Sequence, residues 1–371
     1  MKHTPLLHAV LLLGVFSLAS CMHDPTHYHK QKELLGNRLF HDATLSEPAG
    51  QSCATCHTLT KGFADIDSRA VSEGAVKGLY SQRNAMTISY SKFIPDLYYD
   101  EKEETYVGGL FWDGRSPSLQ AQASEPFLNP VEMGNHVVDK VKRTSYYPQL
   151  IRIYGETENV DSLYAYITDA LAAYQSSKEV NPFSSRFDAY KKGNYTLTAQ
   201  EKLGLDLFES KGLCAECHIL ERDVIARRTL FTDHTYDNLG IPKNPENPHY
   251  CVPREYFLLT PDSIDLGLGA IVRKAEENGK FRVPTLRNVE LTAPYGHNGY
   301  FKTLEEIVHF YNVRDVSDEF PPAEYPATVN KDELGNLGLT PEEEAALVAF
   351  MKTLTDGYDH HKDKPTHQHK D

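Results

Sequence analysis

The feature that most constrains this chain is the pattern Cys-x-x-Cys-His, which occurs at residues 53–57 and again at residues 214–218. The spacing lets two thiols form thioether bonds to the two vinyl groups of one haem, while the next histidine ligates the iron. Two copies therefore predict two covalently bound haem c groups. The predicted attachment residues are Cys53, Cys56, Cys214 and Cys217, and the predicted iron ligands are His57 and His218.

The N-terminus has the pattern of an export signal. Lys2 precedes an apolar run over residues 6–18 that is too short to span a bilayer and is typical of a signal peptide. Residues 18–21, Leu-Ala-Ser-Cys, resemble the lipobox of bacterial lipoproteins, which predicts cleavage after residue 20 and a lipid on Cys21. The alternative is an ordinary signal peptide with an incidental cysteine. Met22, where an aspartate would resemble an inner-membrane signal, favours the periplasmic face of the outer membrane.

The composition and net charge limit the kinds of molecule that the chain is expected to bind. The chain has 371 residues and a formal net charge of −14, which argues against a nucleic-acid-binding surface. An acidic protein is expected to meet small molecules or a basic protein partner. Because no second apolar stretch approaches the length of a membrane span, membrane attachment is predicted through the lipid anchor only. Residues 21–32 and 359–371 are interpreted as a disordered tether and a disordered histidine-rich tail.

The two haem motifs lie in segments that resemble each other. Leu-Gly-x-x-Leu-Phe precedes each motif, at residues 35–40 and at residues 203–208. Residues 112–119 match residues 297–304, each a polar-glycine turn followed by a Ser or Thr N-cap and a helix led by leucine. Arg83-Asn84 is also matched with Arg287-Asn288.

This duplication predicts a mainly α fold of two tandem cytochrome-c-like haem domains. We expect the N-terminal domain at residues 33–185 and the C-terminal domain at residues 195–358. Residues 180–197, which contain an Asn-Pro pair and a Lys-Gly-Asn turn, are interpreted as the linker.

The second axial position decides whether an iron transfers electrons or binds a small molecule. Met351, the only methionine of the second domain, falls in an apolar helical run that favours core packing. Tyr311 lies on the buried face of the helix that Thr303 caps, because it continues an i, i+3, i+4, i+7 apolar pattern. His309 on the same helix is expected to point outward. Periodicity alone leaves Tyr311 open as a core residue or as an iron ligand.

The repeat gives a different residue at the matching place in the first domain. Tyr311 follows His297 by 14 residues, and 14 residues after Trp112 stands Pro126, which has no side-chain donor for iron. No histidine occurs between Thr58 and Gly134. The first haem is therefore predicted to lack a sixth protein ligand.

Four segments resemble the bacterial di-haem cytochrome c peroxidase and MauG family, and the likeness extends over residues 33–358. They are residues 52–57, 111–115, 129–133 and 283–288. The resemblance implies that the N-terminal haem reacts with hydrogen peroxide. It also implies that the C-terminal haem relays electrons from a donor protein, a small cytochrome or a cupredoxin.

The resemblance also implies roles for particular residues. Trp112 would link the two haems, and Gln122 and Glu132 would face the peroxide, with Glu132 as the acid/base that moves its proton. One Ca²⁺ between the domains would be held by Asn84 and by the backbone carbonyls of two further residues. Those two residues are Thr292 and Pro294.

Two departures from the family pattern bear on function. The histidine that blocks the first iron in many family peroxidases is absent, and Tyr311 stands where their methionine ligand stands, which implies that Tyr311 ligates the second iron. Three functions stay open: a peroxidase, a MauG-like oxidase that uses peroxide to oxidise a protein residue, and a pure electron carrier. Pro126 argues against the carrier, since a carrier needs both irons six-coordinate.

Two further features were not assigned to either haem. The Pro- and Asn-rich segment after Asp233 is either a plain long loop or a wall of the second haem pocket or a partner surface. Cys251 is interpreted as an idle thiol.

Overall fold

A computed structural model describes residues 25–134, 137–256 and 262–359. The predicted lipid-bearing Cys21 and the histidine-rich segment from His360 onward lie outside the described residues. Within the described ranges, none of the helices has the length and apolar character needed to cross a bilayer.

The described chain is mainly helical, with two small antiparallel sheets. The α-helices are α1 Pro25–His41, α2 Cys53–Cys56, α3 Leu119–Leu128, α4 Val138–Val141, α5 Tyr147–Tyr154, α6 Val160–Gln175, α7 Arg186–Lys191, α8 Ala199–Phe208, α9 Leu268–Val272, α10 Leu304–Val313 and α11 Pro341–Met351. The strands are β1 Tyr98–Asp100, β2 Thr105–Val107, β3 Tyr236–Asp237 and β4 Phe281–Arg282, with β1 paired to β2 and β3 paired to β4.

Each half is built on one close crossing of its first and last long helices. In the N-terminal half, α1 crosses α6 at Gly36, where a Cβ atom would lie 1.9 Å from the Ala170 carbonyl oxygen. In the C-terminal half, α8 crosses α11 at Gly204, where a Cβ would lie 1.9 Å from the Ala346 carbonyl oxygen. Both glycines belong to the Leu-Gly-x-x-Leu-Phe segments, so the sequence repeat is a structural repeat. The predicted mainly α fold of two tandem halves is confirmed.

The strongest sequence match is reproduced in the backbone. Leu110 pairs with Ser116 in one turn, and Tyr295 pairs with Phe301 in the other. The helix that follows begins after Ser118 in the first half and after Thr303 in the second, and each side chain accepts a hydrogen bond from the third residue of its helix. Residues 112–119 and 297–304 are therefore equivalent.

The pairing of Arg83-Asn84 with Arg287-Asn288 is wrong. The Thr87 hydroxyl donates to the Gly62 carbonyl at 2.6 Å, and the Thr285 hydroxyl donates to the Leu230 carbonyl at 2.5 Å. Three residues later, Tyr90 (φ 65°) and Asn288 (φ 62°) both adopt the left-handed conformation before a short 3₁₀ turn. The counterpart of Asn288 is thus Tyr90, because hydrogen bonding and backbone conformation, rather than the Arg-Asn dipeptide, define the repeat.

The predicted disordered tether at residues 21–32 is wrong for residues 25–32, which form the first turns of α1. Tyr28 packs against the N-terminal core, and the Lys32 ammonium lies 2.6 Å from the Asp169 carboxylate on α6. The segment interpreted as a linker is also ordered, since it contains α7 with Phe187 buried. Tertiary contacts, which composition does not show, order both segments.

Buried ion pairs join the two halves. The Arg83 guanidinium makes two hydrogen bonds of 2.7 Å to Asp265 in the C-terminal half and one of 2.6 Å to Asp113 in its own half. Tyr90 donates to the Asp356 carboxylate at 2.6 Å. These contacts fix the two halves relative to each other, and residues of both halves line the cavity described below.

Candidate functional site

The first Cys-x-x-Cys-His motif presents its histidine in one orientation. The short helix α2 carries both cysteines, and His57 follows it at once. The His57 Nδ1 lies 3.1 Å from the Phe63 carbonyl oxygen, and Phe63 has a positive φ of 60° that turns this carbonyl toward the ring. Because Nδ1 is engaged, Nε2 remains to ligate a metal.

The second motif repeats this arrangement. The His218 Nδ1 lies 2.9 Å from the carbonyl oxygen of Phe231, whose φ is 56°. Burial lowers the pKa of His218 to about 4 and also lowers the pKa of His57. Both imidazoles are therefore neutral at pH 7, which is the form that ligates iron.

The four motif cysteines fit covalent attachment of haem. None forms a disulfide, and burial raises the pKa of Cys53, Cys56 and Cys214 to about 12 and that of Cys217 further. They are buried neutral thiols, placed in pairs beside a histidine that offers Nε2. This donor set is what a haem c site requires.

A large cavity opens beside the second motif. Cys214, Cys217, His218 and Tyr311 all line it. Two carboxylates near Cys217, those of Asp237 and Glu333, also line it. Much of the remaining lining is apolar and includes Leu286, Ile307, Val308, Leu339, Leu347 and Met351. A largely apolar cavity lined by two thiols and an imidazole fits the second haem.

Tyr311 sits where the sequence places it, on α10 and facing this cavity. Burial, and then the charges that Cys217 and Cys214 would carry, raise the pKa of Tyr311 far above its usual range. The phenol is thus protonated unless a metal replaces its proton. Met351 also lines the cavity and is packed in the core of the C-terminal half, and His309 points outward between Glu344 and Glu319 as predicted.

The matching position in the first half is Pro126. Pro126 is the eighth residue of α3, and Tyr311 is the eighth residue of α10. The Met133 N–H donates to the Pro126 carbonyl at 3.0 Å, which brings the end of α3 next to Glu132.

Glu132 lies at the first haem motif. Its charge would raise the pKa of both Cys53 and Cys56, which places the carboxyl near the two attachment thiols. Burial raises the pKa of Glu132 itself, against an opposing hydrogen bond of 2.8 Å from the Asn129 amide. A buried carboxyl with a raised pKa beside a reactive centre is suited to proton transfer.

Gln122 is half-buried on α3, one turn before Pro126. Its side-chain amide makes no hydrogen bond to any other residue in the described part of the chain, so the amide is available to a bound molecule. Gln51, which sequence reasoning missed, donates to the Cys56 sulfur at 3.4 Å and to the Glu73 carbonyl at 2.8 Å.

Trp112 lies at the junction of the two halves and lines the cavity of the second motif. Its indole Nε1 donates to the Asn84 carbonyl at 2.9 Å, and the Asn84 N–H donates to the His297 carbonyl at 2.8 Å. Trp112 and His297 are equivalent residues of the repeat, so Asn84 joins the two halves at their matching points.

The three residues implied in calcium binding line one cavity. Asn84, Thr292 and Pro294 all line the same cavity although they come from both halves. The Asn84 amide nitrogen donates to the Ala70 carbonyl at 3.1 Å, which leaves its amide oxygen as an available ligand of the type that Ca²⁺ prefers.

The loop after Asp233 forms part of the cavity wall. Asp237, Asn238, Leu239 and Ile241 line it, and β3 of this loop pairs with β4. The plain-loop interpretation is therefore wrong, and the interpretation as a wall of the second haem pocket is the one the cavity supports. Cys251, further along, is exposed.

Comparisons with known proteins agree with this site. The family model for di-haem cytochrome c peroxidase matches residues 30–196. The methylamine utilization protein MauG of Paracoccus denitrificans is 35% identical over 351 residues, which cover 87% of this chain and 88% of that protein. A cytochrome-c peroxidase of Denitromonas iodatirespirans is 30% identical over 87% of this chain and 81% of that protein.

The comparison with solved structures finds the same kind of protein as the comparison of sequences. The diheme peroxidase BthA of Burkholderia thailandensis superposes with a TM-score of 0.77 at 33% identity, covering 90% of this chain and 86% of that one. The chain belongs to the di-haem cytochrome c peroxidase family and is accordingly an oxidoreductase that carries two haem c groups.

Proposed function

We propose that the chain reduces hydrogen peroxide to water at the haem held by Cys53 and Cys56. Two electrons enter through the haem held by Cys214 and Cys217, and two protons join them, so that one peroxide gives two waters. When bound, the first haem supplies an iron that binds peroxide and passes it the electrons. Membership of the family and the peroxidase names of several relatives support this reaction.

The observation that carries the proposal is the position of Glu132. Its buried carboxyl lies near both attachment thiols of the first motif, and burial raises its pKa. A carboxyl of this kind takes a proton from one peroxide oxygen and returns it to the other as the O–O bond breaks. The Asn129 amide, 2.8 Å away, fixes its orientation.

Other residues of this chain have supporting roles in the proposal. Gln122 orients the peroxide with its available amide. Trp112, held by Asn84 at the junction of the halves, carries electrons from the second haem to the first. Tyr311 would be the second protein ligand of the iron that His218 holds, and Pro126 would offer no side-chain ligand to the iron that His57 holds.

The proposal is tested by the substitution Glu132→Gln. We expect the rate of peroxide reaction to fall by about two to four orders of magnitude, the usual contribution of a positioned acid/base, with both haems still attached. Glu101→Gln is the control, because it makes the same change at an exposed position of the same half. Stopped-flow absorbance after mixing with peroxide measures both rates.

Equal rates in wild type and Glu132→Gln would remove Glu132 from the mechanism. The oxidised wild type should also react with peroxide without prior reduction, because no histidine between Thr58 and Gly134 is present to block the first iron. A reaction that begins only after reduction would contradict the open first iron.

A second function is favoured by Tyr311. An oxygen ligand that is anionic stabilises ferric iron and makes reduction by a small cytochrome harder, which fits a MauG-like oxidase that uses peroxide to oxidise a protein residue. The two functions differ in their need for a donor. The peroxidase consumes peroxide in proportion to added reduced cytochrome or cupredoxin, whereas the oxidase consumes it in proportion to a protein substrate.

The remaining assignments complete the proposal. One Ca²⁺ is held by Asn84 and the carbonyls of Thr292 and Pro294. Residues 33–185 form the peroxide-reacting domain, and residues 195–358 form the electron-entry domain. The protein works in the periplasm as an outer-membrane lipoprotein anchored through Cys21.

A further inference from the structure

A buried arginine in the cavity has no partner of opposite charge. Arg282 is 4% exposed, and none of the ion pairs among the described residues includes it. Its hydrogen bonds are long: 3.3 Å to the Phe111 carbonyl, 3.5 Å to the Val283 carbonyl and 3.7 Å to the Met86 sulfur. Burial lowers its pKa. Burying a guanidinium without a counter-ion costs free energy, so we expect an anion to bind beside Arg282.

A buried histidine stands beside this arginine. His234 is 7% exposed, and neither of its ring nitrogens has a hydrogen-bond partner in the described part of the chain. Burial and the positive charge of Arg282 lower the pKa of His234 to about 3, so the ring is neutral and donates one N–H. Its backbone is fixed, since the Gly108 N–H donates to its carbonyl at 3.0 Å.

Both side chains line the cavity that Cys214, Cys217 and His218 also line. A haem carries two propionate carboxylates on the edge away from its thioether bonds. A carboxylate is the anion that a guanidinium and an imidazole N–H recognise best. The attachment groups and the unsatisfied donors therefore line one cavity.

We propose that Arg282 and His234 form a carboxylate-binding subsite that neutralises one propionate of the haem attached to Cys214 and Cys217. The proposal rests on the haem content of the family and not on the peroxide reaction. The backbone N–H of Arg282 donates to the Trp112 carbonyl at 2.8 Å, so the backbone that carries Arg282 is held beside that of Trp112. In the proposal, Arg282 acts on the second haem through the propionate charge.

The test is the midpoint potential of each haem in the holoprotein. In Arg282→Gln the propionate keeps its charge without a counter-ion, which favours the ferric state. We expect the redox equilibrium of the second haem to shift at least tenfold toward ferric, or about 59 mV for one electron. Arg282→Lys keeps the charge and should stay close to wild type. Arg222→Gln removes an exposed charge from the same half and should change neither potential.

Several results would overturn the subsite. These are an unchanged second-haem potential in Arg282→Gln, a shift confined to the first haem, or an equal shift in Arg282→Lys and Arg282→Gln. If Arg282→Gln does not retain both haems, His234→Leu decides, because it removes the donor without changing charge. The propionate bending bands in its resonance Raman spectrum should move, and unmoved bands would refute the assignment.

Discussion

Tyr311 and Pro126 occupy matching positions in the two halves and differ in the side-chain atoms they offer. Each is the eighth residue of the helix that follows a capped turn. The phenol offers an oxygen to the second site, whereas the pyrrolidine ring offers nothing to the first. The backbones around them are equivalent, so the difference between the halves lies in these side chains.

The role of Tyr311 as a ligand is tested by replacing it with phenylalanine and with methionine. Tyr311→Phe should open the second iron, since the ring still packs but has no oxygen, and Tyr311→Met should restore a ligand of different type and raise the potential. Stability should change little because volume is nearly conserved. Visible and resonance Raman spectra measure the coordination.

The control for this prediction is Tyr300→Phe, which removes a phenol oxygen from the same half at a less buried position. Its spectra should match wild type. If the second haem of Tyr311→Phe keeps the wild-type coordination, Tyr311 is a packing residue and not a ligand. The MauG-like function would then lose its main support.

Asp265 gives a pH prediction. Burial alone would raise its pKa, but the charge and hydrogen bonds of Arg83 hold it at about 2. Because the folded pKa lies below the unfolded value, this carboxylate stabilises the fold above about pH 4 and loses that contribution as the pH falls toward about 2, a change of about 2 kcal/mol. Denaturant unfolding should show it as a pH-dependent difference between wild type and Asp265→Asn.

That difference should be constant at neutral pH and shrink below about pH 4. Asp318→Asn, at an exposed carboxylate, should run parallel to wild type throughout. If the difference in the free energy of unfolding between wild type and Asp265→Asn does not vary with pH, the pair with Arg83 adds no proton-linked stability.

At the scale of elements, the helix crossings at Gly36 and Gly204 are the tightest contacts that the repeat conserves. A methyl group at either position would meet a backbone oxygen at 1.9 Å, so the helices must move apart. Gly36→Ala and Gly204→Ala should each lower the free energy of unfolding by about 3 kcal/mol, although alanine favours helix. Denaturant unfolding measures the loss.

The controls lie on the same two helices. Leu34 is 53% exposed on α1 and Leu203 is 44% exposed on α8, so Leu34→Ala and Leu203→Ala should cost less than about 1 kcal/mol. Unchanged stability in the glycine variants would show that the helices separate easily and that the crossing does not hold the halves together.

Local sequence patterns predicted some elements well and others not at all. The capping boxes at Thr198, Thr303 and Thr340 mark the starts of α8, α10 and α11 correctly, because a cap is a contact between residues three apart. Residues 25–32 could not be predicted, since long-range contacts order them. Arg282 was also missed, because an arginine becomes informative only when its burial without a partner is known.

At the scale of the whole molecule, a buried ion pair fixes the segment between the halves against the C-terminal half. Arg287 is fully buried and makes hydrogen bonds of 2.9 and 3.0 Å to Asp188 on α7. Its Nε donates to the Thr229 carbonyl at 2.7 Å, close to the carbonyl of Phe231 that orients His218. The segment between the halves is therefore part of the frame of the second site.

Calcium removal should loosen this junction. With Asn84 from one half and Thr292 and Pro294 from the other as its ligands, the ion would stabilise only the assembled state. A chelator should lower the thermal midpoint of the wild type, and added Ca²⁺ should restore it. Calorimetry of Asn84→Ala should show no response to either treatment, and equal midpoints in wild type with and without chelator would exclude the site.

The helix crossings also set an order of events during biogenesis. In each half the first long helix packs against the last. Gly36 contacts Ala170 in the N-terminal half, and Gly204 contacts Ala346 in the C-terminal half. Until the last helix of a half has packed against the first, that crossing is absent and the half cannot close. Each Cys-x-x-Cys-His motif lies between the first and last long helices of its half, so the motif is synthesised before its half can close.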